Sequence, residues 1–198
     1  MNFQMIKQLN LNNKIFFTLL NRLSYQITNI YGAEGVNNPT YTTEVFRRHA
    51  FIEIMDCLFE KIKDTKPFDP IIEEVCKIVD LPFQEAQTFY SQYAPEIARN
   101  PKRILVGRLG EIPINTFSDI ESIPNPTNPH GIIYNAYTRR IIERITACML
   151  HNESCLLIGD TGCGKTTIAQ HVAEMFGKTL HVYNLSQGSD AVDLIGGF

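Results

Sequence analysis

The sequence Gly159-Asp-Thr-Gly-Cys-Gly-Lys165-Thr166 fills every fixed position of the phosphate-binding pattern G-x-x-x-x-G-K-[ST]. An apolar run from Cys155 to Ile158 comes immediately before it, and helically spaced apolar residues follow it from Thr166 to Phe176. A strand, a glycine-rich loop and a helix are the context in which this pattern binds nucleotides. The stretch therefore predicts a nucleotide-binding loop.

The residue types in the loop explain how it would hold a nucleotide. Its glycines let the backbone curl so that successive N–H groups point at phosphate oxygens, and the following helix adds the positive end of its dipole. Lys165 can reach the β- and γ-phosphates, and the Thr166 hydroxyl can ligate Mg²⁺. We therefore predict ATP and Mg²⁺ as cofactors, with Thr166 as metal ligand and these nucleotide-binding residues: Gly159, Asp160, Thr161, Gly162, Cys163, Gly164, Lys165, Thr166 and Thr167.

Hydrolysis requires a further residue that the loop does not supply. An acidic side chain at the end of a later strand, the Walker B residue, must help to hold the metal and polarise water. No apolar strand ending in Asp-Glu follows Lys165, and the sequence reaches Phe198 directly after Asp193-Leu-Ile-Gly-Gly. We therefore expect a fragment or truncated product that contains no identifiable catalytic residue and that is inactive alone.

Composition limits the other classes of function. The 198 residues suffice for one domain and part of another, and the net charge of −3 provides no general attraction for nucleic acid or anionic lipid. No stretch approaches the roughly 20 apolar residues that a bilayer span requires. The five cysteines show no zinc-ligand spacing and suit a reducing, intracellular compartment. We expect neither direct nucleic-acid binding nor a membrane partner.

Apolar periodicity predicts a helical bundle over residues 1–102. The predicted helices are Ile15–Ile30, Thr43–Ile62, Pro70–Val79 and Phe83–Tyr93. The last two flank a tight break, as in a DNA-reading helix-turn-helix, but the second of them has no Lys or Arg, so a bundle is the better interpretation.

The pattern of residue types changes after Pro101. A short strand over 103–109 followed by several prolines predicts a strand and linker over 103–131. Residues 132–198 then read as a helix over Tyr137–Leu150, a buried strand over Cys155–Ile158, the loop with its helix, and a second strand over Thr179–Asn184. This order predicts the N-terminal part of an α/β fold whose parallel sheet is covered on both faces.

Several stretches resemble the midasin family of giant, dynein-related AAA+ ATPases of ribosome assembly. Beside the loop itself, the resemblance rests on four stretches: Thr138-Arg-Arg-Ile-Ile-Glu-Arg-Ile145, Leu180-His-Val-Tyr-Asn-Leu-Ser-Gln187, Ser189-Asp190 and Asp193-Leu-Ile-Gly-Gly-Phe198. The Asn184-Leu-Ser-Gln187 element and the Asp193-Leu-Ile-Gly-Gly-Phe198 ending are far more specific than the loop, which many unrelated proteins share. The close match covers about a third of the chain, and Ala94-Pro-Glu-Ile97 and Leu105-Val-Gly-Arg108 are weaker but consistent with it.

The resemblance implies a P-loop NTPase (AAA+) core over 132–198, preceded in 1–102 by the α-helical lid of another module. It implies ATP binding, ATP hydrolysis in the complete protein, neighbouring AAA+ modules of the same polypeptide as partners, and remodelling of pre-ribosomal large-subunit particles in nucleolus and nucleoplasm. Arg22 is the one candidate in the first helix for the arginine that such a lid turns toward ATP. The alternatives are another AAA+ remodeller, MoxR-like or dynein-like, and a truncated nucleotide-binding scaffold without hydrolysis.

Overall fold

The computed structural model describes residues 13–28, 43–59, 68–114 and 131–185. The first part is helical and contains α1 (Asn13–Tyr25), α2 (Thr43–Phe59), α3 (Phe68–Val79) and α4 (Phe83–Gln92). Each lies where the sequence predicts a helix, and α1 continues into a turn of π-helix at residues 26–28. The predicted end of the second helix at Ile62 lies outside the described residues.

The break between α3 and α4 follows from its sequence. Asp80 takes the left-handed conformation that ends a helix, with φ of 56°, and the Leu81 N–H donates to the Cys76 carbonyl at 3.0 Å. Pro82 then precedes the first residue of α4, where its missing N–H costs no helical hydrogen bond. The two helices fold back on α2 and share its core.

One apolar cluster holds α1 to α4 together. It is built from the inward faces of these helices, and its fully buried members are Leu19, Ala50, Phe51, Ile52, Ile54, Val75 and Ala86. Tyr93, just after α4, is the last residue of this cluster along the chain. The predicted bundle of helices is therefore present in the described residues.

A small antiparallel sheet follows the helices. Its strands are β1 (Ile97–Arg99), β2 (Arg103–Val106) and β3 (Glu111–Pro113), in that order across the sheet. Ile104 lies at the centre of the register, opposite Arg99 on one side and Ile112 on the other. The predicted strand at 103–109 is thus confirmed up to Val106, after which residues 107–109 form a 3₁₀ turn.

The sheet packs against the two helices of the last part of the chain. These are α5 (Ala136–Leu150) and α6 (Lys165–Met175), both at their predicted positions. A second apolar cluster joins strand residues Ile104, Val106 and Ile112 to α5 and α6. Residues 103–114 of the predicted linker therefore belong to this core, and residues 115–130 lie outside the described part of the chain.

The two predicted strands beside the loop are wrong as strands in this structure. Residues 153–160 and 178–185 have no regular secondary structure, and Leu156 and Ile158 are 81% and 82% exposed. Leu180, Val182 and Tyr183 are exposed as well. A parallel strand needs a ladder of hydrogen bonds to a neighbour and cover on its faces. Neither segment pairs with a strand in the described ranges, so the predicted two-faced parallel sheet is not formed there.

A buried polar cluster connects the two apolar clusters. Its centre is Arg108, whose side chain is inaccessible to solvent and whose Nε lies 2.8 Å from Glu53 Oε2 on α2. The Arg108 Nη2 atom lies 2.7 Å from Asp56 Oδ2, and Nη1 contacts Glu143 of α5. Three carboxylates on two helices therefore surround one guanidinium.

The backbone beside Arg108 is shaped to fit this cluster. Gly107 has φ of 43°, and a Cβ there would lie 2.1 Å from Glu143 Oε1, so a larger residue cannot fit without displacing the carboxylate. The same oxygen accepts hydrogen bonds from the Arg108 N–H at 2.9 Å and from the Tyr93 hydroxyl at 2.7 Å. Glycine at 107 thus permits the close approach of the turn to α5.

Glu53 is satisfied from both sides. Besides Arg108, it accepts from Arg22 Nη1 at 3.0 Å and from Gln26 Nε2 at 3.0 Å. Burial opposes ionisation of this carboxyl, but attraction by Arg108 and Arg22 outweighs burial and holds the pKa of Glu53 below its usual value. Glu53 is therefore a buried, negatively charged carboxylate that pairs with both Arg22 and Arg108.

Within the described ranges, none of the helices is long and apolar enough to cross a bilayer.

We predict that Arg108→Ala lowers the free energy of unfolding by about 3–5 kcal/mol, because it removes the one guanidinium that these three buried carboxylates share. The measurement is the free energy of unfolding in urea of the Arg108→Ala variant and of the unsubstituted chain. Arg103→Ala is the matched control, since Arg103 forms an exposed pair with Glu111 at 3.3 Å, and its loss should cost about 1 kcal/mol or less. Equal losses for the two variants would contradict the central role of Arg108.

Candidate nucleotide-binding site

The loop before α6 adopts the curled backbone that the motif predicts. Gly162 and Gly164 have φ of 82° and 85°, in the left-handed region that favours glycine. A Cβ added at either residue would meet nothing within 4 Å, so the space beside them is open. Gly164 caps α6 through its backbone alone, without a side-chain hydrogen bond. An anion can therefore approach this helix start closely.

Lys165 is folded onto the loop that it follows. Its Nζ donates to the Gly159 carbonyl at 2.8 Å and to the Asp160 carbonyl at 2.6 Å. The Cys163 Sγ lies 3.6 Å from the same nitrogen, and a Cβ on Gly159 would come within 3.0 Å of that sulfur. The ammonium group thus sits at the rim of the curled loop, beside two backbone carbonyls and a thiol.

The remaining predicted binding residues lie on the same short stretch. Asp160, Thr161 and Thr166 are exposed, and Thr167 is half-buried. The first N–H groups of α6 have no acceptor within their own helix. Open glycines, helix N–H groups, a lysine and an exposed threonine hydroxyl are the donor set that a nucleoside triphosphate with Mg²⁺ requires. The residues present therefore fit ATP and Mg²⁺.

Helix α6 is anchored below the loop by apolar and polar contacts. Ile168 and Val172 are buried in the second apolar cluster. His171 is also buried, and its Nε2 atom contacts the hydroxyl of Tyr134, which precedes α5. Tyr134 and His171 form an edge-to-face ring pair at 5.6 Å. The loop is therefore followed by a helix that cannot rotate without breaking the contact between Tyr134 and His171.

Sequence reasoning did not single out Tyr134 or His171. The available signal was a histidine on the apolar side of a helix, between Ile168 and Val172. A histidine in that position needs a polar partner inside the protein. The sequence alone does not show that a tyrosine 37 residues earlier supplies it.

Arg22, the candidate lid arginine, is engaged in ion pairs within the described residues. It is buried, donates to Glu53 at 3.0 Å, and also pairs with Glu153, which lies between α5 and the loop. Its Nη2 atom lies 3.6 Å from Cys148 Sγ. Carboxylates occupy the guanidinium on two sides, so Arg22 is a structural ion-pair residue in this structure, and its role as a lid arginine of a preceding module stays a prediction.

Metal clusters are a separate question from the loop. No group of three or more His, Cys, Asp or Glu side chains that could hold a metal ion occurs among the residues that the structure describes. The expected metal role of the loop rests on Thr166 together with nucleotide phosphates, which is a typical arrangement for Mg²⁺. The free cysteines Cys155 and Cys163 are exposed, and Cys57 and Cys76 are buried.

Comparison with known proteins agrees with the loop geometry. Residues 154–198 match the family described as AAA domain (dynein-related subfamily). The chain is 27% identical over 175 residues to the midasin of Dictyostelium discoideum, and 39% identical over 97 residues to that of Giardia intestinalis. These alignments cover 79% and 49% of the chain. The chain is similar to midasins, and its residues 154–198 match an AAA domain.

The extent of the similarity has two further consequences. The alignment with the Dictyostelium midasin covers 79% of the chain, which is much more than residues 154–198. The similarity to that midasin therefore continues into the helices before the loop. The midasin-like chain spans only 3% of the length of that midasin and 2% of the Giardia one. It is therefore similar to a small part of much longer proteins. No solved structure matches it.

Proposed function

We propose that this chain binds ATP and Mg²⁺ at residues 159–167, as part of a midasin-like AAA+ ATPase. The observation that carries the proposal is the loop itself, in which left-handed glycines leave an open space at the start of α6 with Lys165 at its rim. The similarity to midasins and to the dynein-related AAA domain supports the same site. ATP is the expected nucleotide because AAA+ proteins use it.

The chain's own residues would act by exchanging partners. Lys165 would leave the carbonyls of Gly159 and Asp160 and donate instead to the β- and γ-phosphates. The N–H groups at the start of α6 would bind the phosphate oxygens, and the Thr166 hydroxyl would ligate Mg²⁺. The metal would neutralise phosphate charge. These steps bind and orient the nucleotide, and none of them activates a water molecule.

We predict that Lys165→Ala raises the dissociation constant for ATP·Mg²⁺ by roughly 10- to 150-fold, because a hydrogen bond to a charged group contributes about 1.5–3 kcal/mol. Titration calorimetry on the chain measures the change. Lys102→Ala is the control, because it removes the same charge from an exposed turn outside the loop. Unchanged affinity in a folded Lys165→Ala chain would sink the proposal.

We predict that the 198-residue chain binds ATP without appreciable turnover. The reason is that the loop residues position phosphate, whereas activation of water needs an acidic residue that no predicted strand after Lys165 provides. Phosphate release with excess ATP·Mg²⁺ is the measurement, and Lys165→Ala sets its background. Steady release above that background would show that the chain carries a complete catalytic site.

We also infer that the chain spans two consecutive AAA+ modules, with residues 1–102 as the lid of one and residues 132–198 as the start of the next. Two ion pairs support this: Arg22 on α1 pairs with Glu153, and Glu53 on α2 pairs with Arg108, which also pairs with Glu143 on α5. They would join a lid to the following core. Neighbouring modules of the same polypeptide would then be partners. A MoxR-like or dynein-like remodeller would use the same loop, and the midasin relatives favour the midasin-like alternative over both.

At the level of the cell, we propose that the longer midasin-like protein remodels pre-ribosomal large-subunit particles in the nucleolus and nucleoplasm. This part of the proposal rests on the resemblance to midasins. We predict that the tagged natural protein is recovered with precursors of the large-subunit ribosomal RNA and not with those of the small subunit. A Lys165→Ala version tests whether recovery depends on the loop. Recovery of neither precursor would argue for a different remodelling substrate.

A further inference from the structure

One face of helix α1 contacts the end of helix α5, shortly before the nucleotide loop. Arg22 on α1 donates from its Nε atom to Glu153 Oε2 at 3.1 Å, and its Nη2 atom contacts the same carboxylate. Three residues further along α1, the Tyr25 ring packs edge-to-face on His151, with 5.4 Å between the ring centres. Residues three apart on a helix share a face, so Arg22 and Tyr25 form one contact surface. The helical part of the chain therefore reaches the residues that end α5.

The guanidinium of Arg22 joins two parts of the protein. Its Nη1 atom donates to Glu53 Oε1 on α2 at 3.0 Å, while the Nε and Nη2 atoms face Glu153. Burial opposes the charge of Arg22, but hydrogen bonding to Glu153 and attraction by Glu53 outweigh burial and raise the pKa of Arg22 above its ordinary value. The planar fork of an arginine suits such a double contact. Arg22 thus links α2 to the end of α5.

Glu153 fixes the start of the segment that enters the loop. Asn152 has φ of 53°, which turns the chain out of α5, and the Glu153 N–H donates to the Cys148 carbonyl at 2.8 Å. Residues 154–158 follow without regular secondary structure, and Gly159 begins the loop. Because these residues can bridge at most about 20 Å, the position of Glu153 limits where the loop can lie from this side.

The same segment lies beside Arg22 in space. Cys155, Leu156, Leu157 and Ile158 line a cavity of about 290 Å³, and Arg22 lines the same cavity. The segment pairs with no strand in the described ranges, so it lacks the ladder of hydrogen bonds that fixes a strand. A charged contact at its start therefore has more influence on its position than it would have on a paired strand.

We propose that Arg22 is a positioning residue for the nucleotide loop and acts through Glu153. The Arg22–Glu153 pair holds the segment that enters the loop, and it thereby couples the packing of the helical part to nucleotide binding. This role rests on the proposed nucleotide site. Such coupling is reciprocal: if the pair strengthens nucleotide binding, bound nucleotide strengthens the hold of α1 on the end of α5 by the same factor.

Glu153→Ala is the variant that breaks the link. It leaves Arg22 paired with Glu53, so the buried charges of α1 and α2 stay balanced. Glu85→Ala is the matched control, because Glu85 also binds one arginine through two nitrogens: Arg48 Nε at 3.0 Å and Nη2 at 2.9 Å. That pair joins α2 to α4 within the helical part. Urea unfolding shows that both variants are folded.

The first measurement needs no nucleotide. Amide hydrogen exchange, followed by mass spectrometry of peptic peptides, reports on the end of α5, where the His151 N–H donates to the Ala147 carbonyl at 3.2 Å. We expect residues 147–153 to exchange roughly fivefold faster or more in Glu153→Ala, because this turn opens more often once α1 no longer holds it. Exchange in Glu85→Ala should match that of the unsubstituted chain.

The second measurement is titration calorimetry with ATP·Mg²⁺. We expect Glu153→Ala to raise the dissociation constant by roughly fivefold or more, the lower end of typical coupling between sites. Glu85→Ala should leave it within about twofold. A further readout does not follow from lost stability alone: saturating ATP·Mg²⁺ should slow hydrogen exchange in α1 of the unsubstituted chain and of Glu85→Ala, but not in Glu153→Ala.

Arg22→Lys shows whether Glu153 acts through Arg22. A lysine keeps the charge beside Glu53 but lacks the fork that reaches two carboxylates. We expect Arg22→Lys to weaken ATP binding about as much as Glu153→Ala does, and the double variant to be no weaker than either single variant. Glu153→Gln, which keeps an oxygen acceptor for Arg22, should restore part of the lost affinity.

Three results would overturn this role of Arg22. One is unchanged exchange of residues 147–153 in Glu153→Ala, and another is equal nucleotide affinity of that variant and the unsubstituted chain. The third is a double variant whose loss equals the product of the two single losses, since Glu153 would then act without Arg22. If the unsubstituted chain binds no nucleotide, the proposed function fails by that result, and the exchange of residues 147–153 alone decides whether Arg22 holds this segment.

Discussion

Among the described residues, Arg108 is the only one whose side chain forms ion pairs with carboxylates on both α2 and α5. A guanidinium can do this because its N–H donors fan out in a plane, so each carboxylate receives its own hydrogen bond. The carboxylates are buried away from water, and the Arg108 guanidinium replaces hydrogen bonds that water would otherwise make to them. The arrangement of the helical part relative to the loop-bearing part depends on this cluster.

The cluster also explains why the helices on either side of the loop are held in place although the segments that flank the loop are exposed. Helix α5 is held by Glu143 and Arg144, and α6 is held by apolar contacts to the sheet and to α5. The loop lies between these two helices along the chain. Its curled geometry therefore forms without the parallel sheet that the sequence predicts around it.

The helices and the loop could be predicted from sequence because their determinants are local. Apolar spacing marks α1 to α6, and glycines with positive φ mark the loop at Gly162 and Gly164. The flanking segments could not be predicted in the same way. An apolar run such as Cys155–Ile158 favours a strand. The neighbouring strands that would pair with it, and the side chains that would cover its faces, come from residues distant in the sequence. The polar cluster was missed for the same reason, although Glu53 within the apolar run 50–55 was a visible signal.

The spacing of the buried partners has a consequence for synthesis of the chain. Glu53 lies 31 residues after Arg22 and 55 residues before Arg108. While the chain leaves the ribosome, Glu53 first meets Arg22 and Gln26 on α1, and its second arginine emerges only later. Glu143 comes another 35 residues after Arg108. The helical bundle can therefore collapse early and pair Glu53 and Asp56 with Arg108 as soon as Arg108 has been made, whereas Glu143 joins this cluster only when α5 follows.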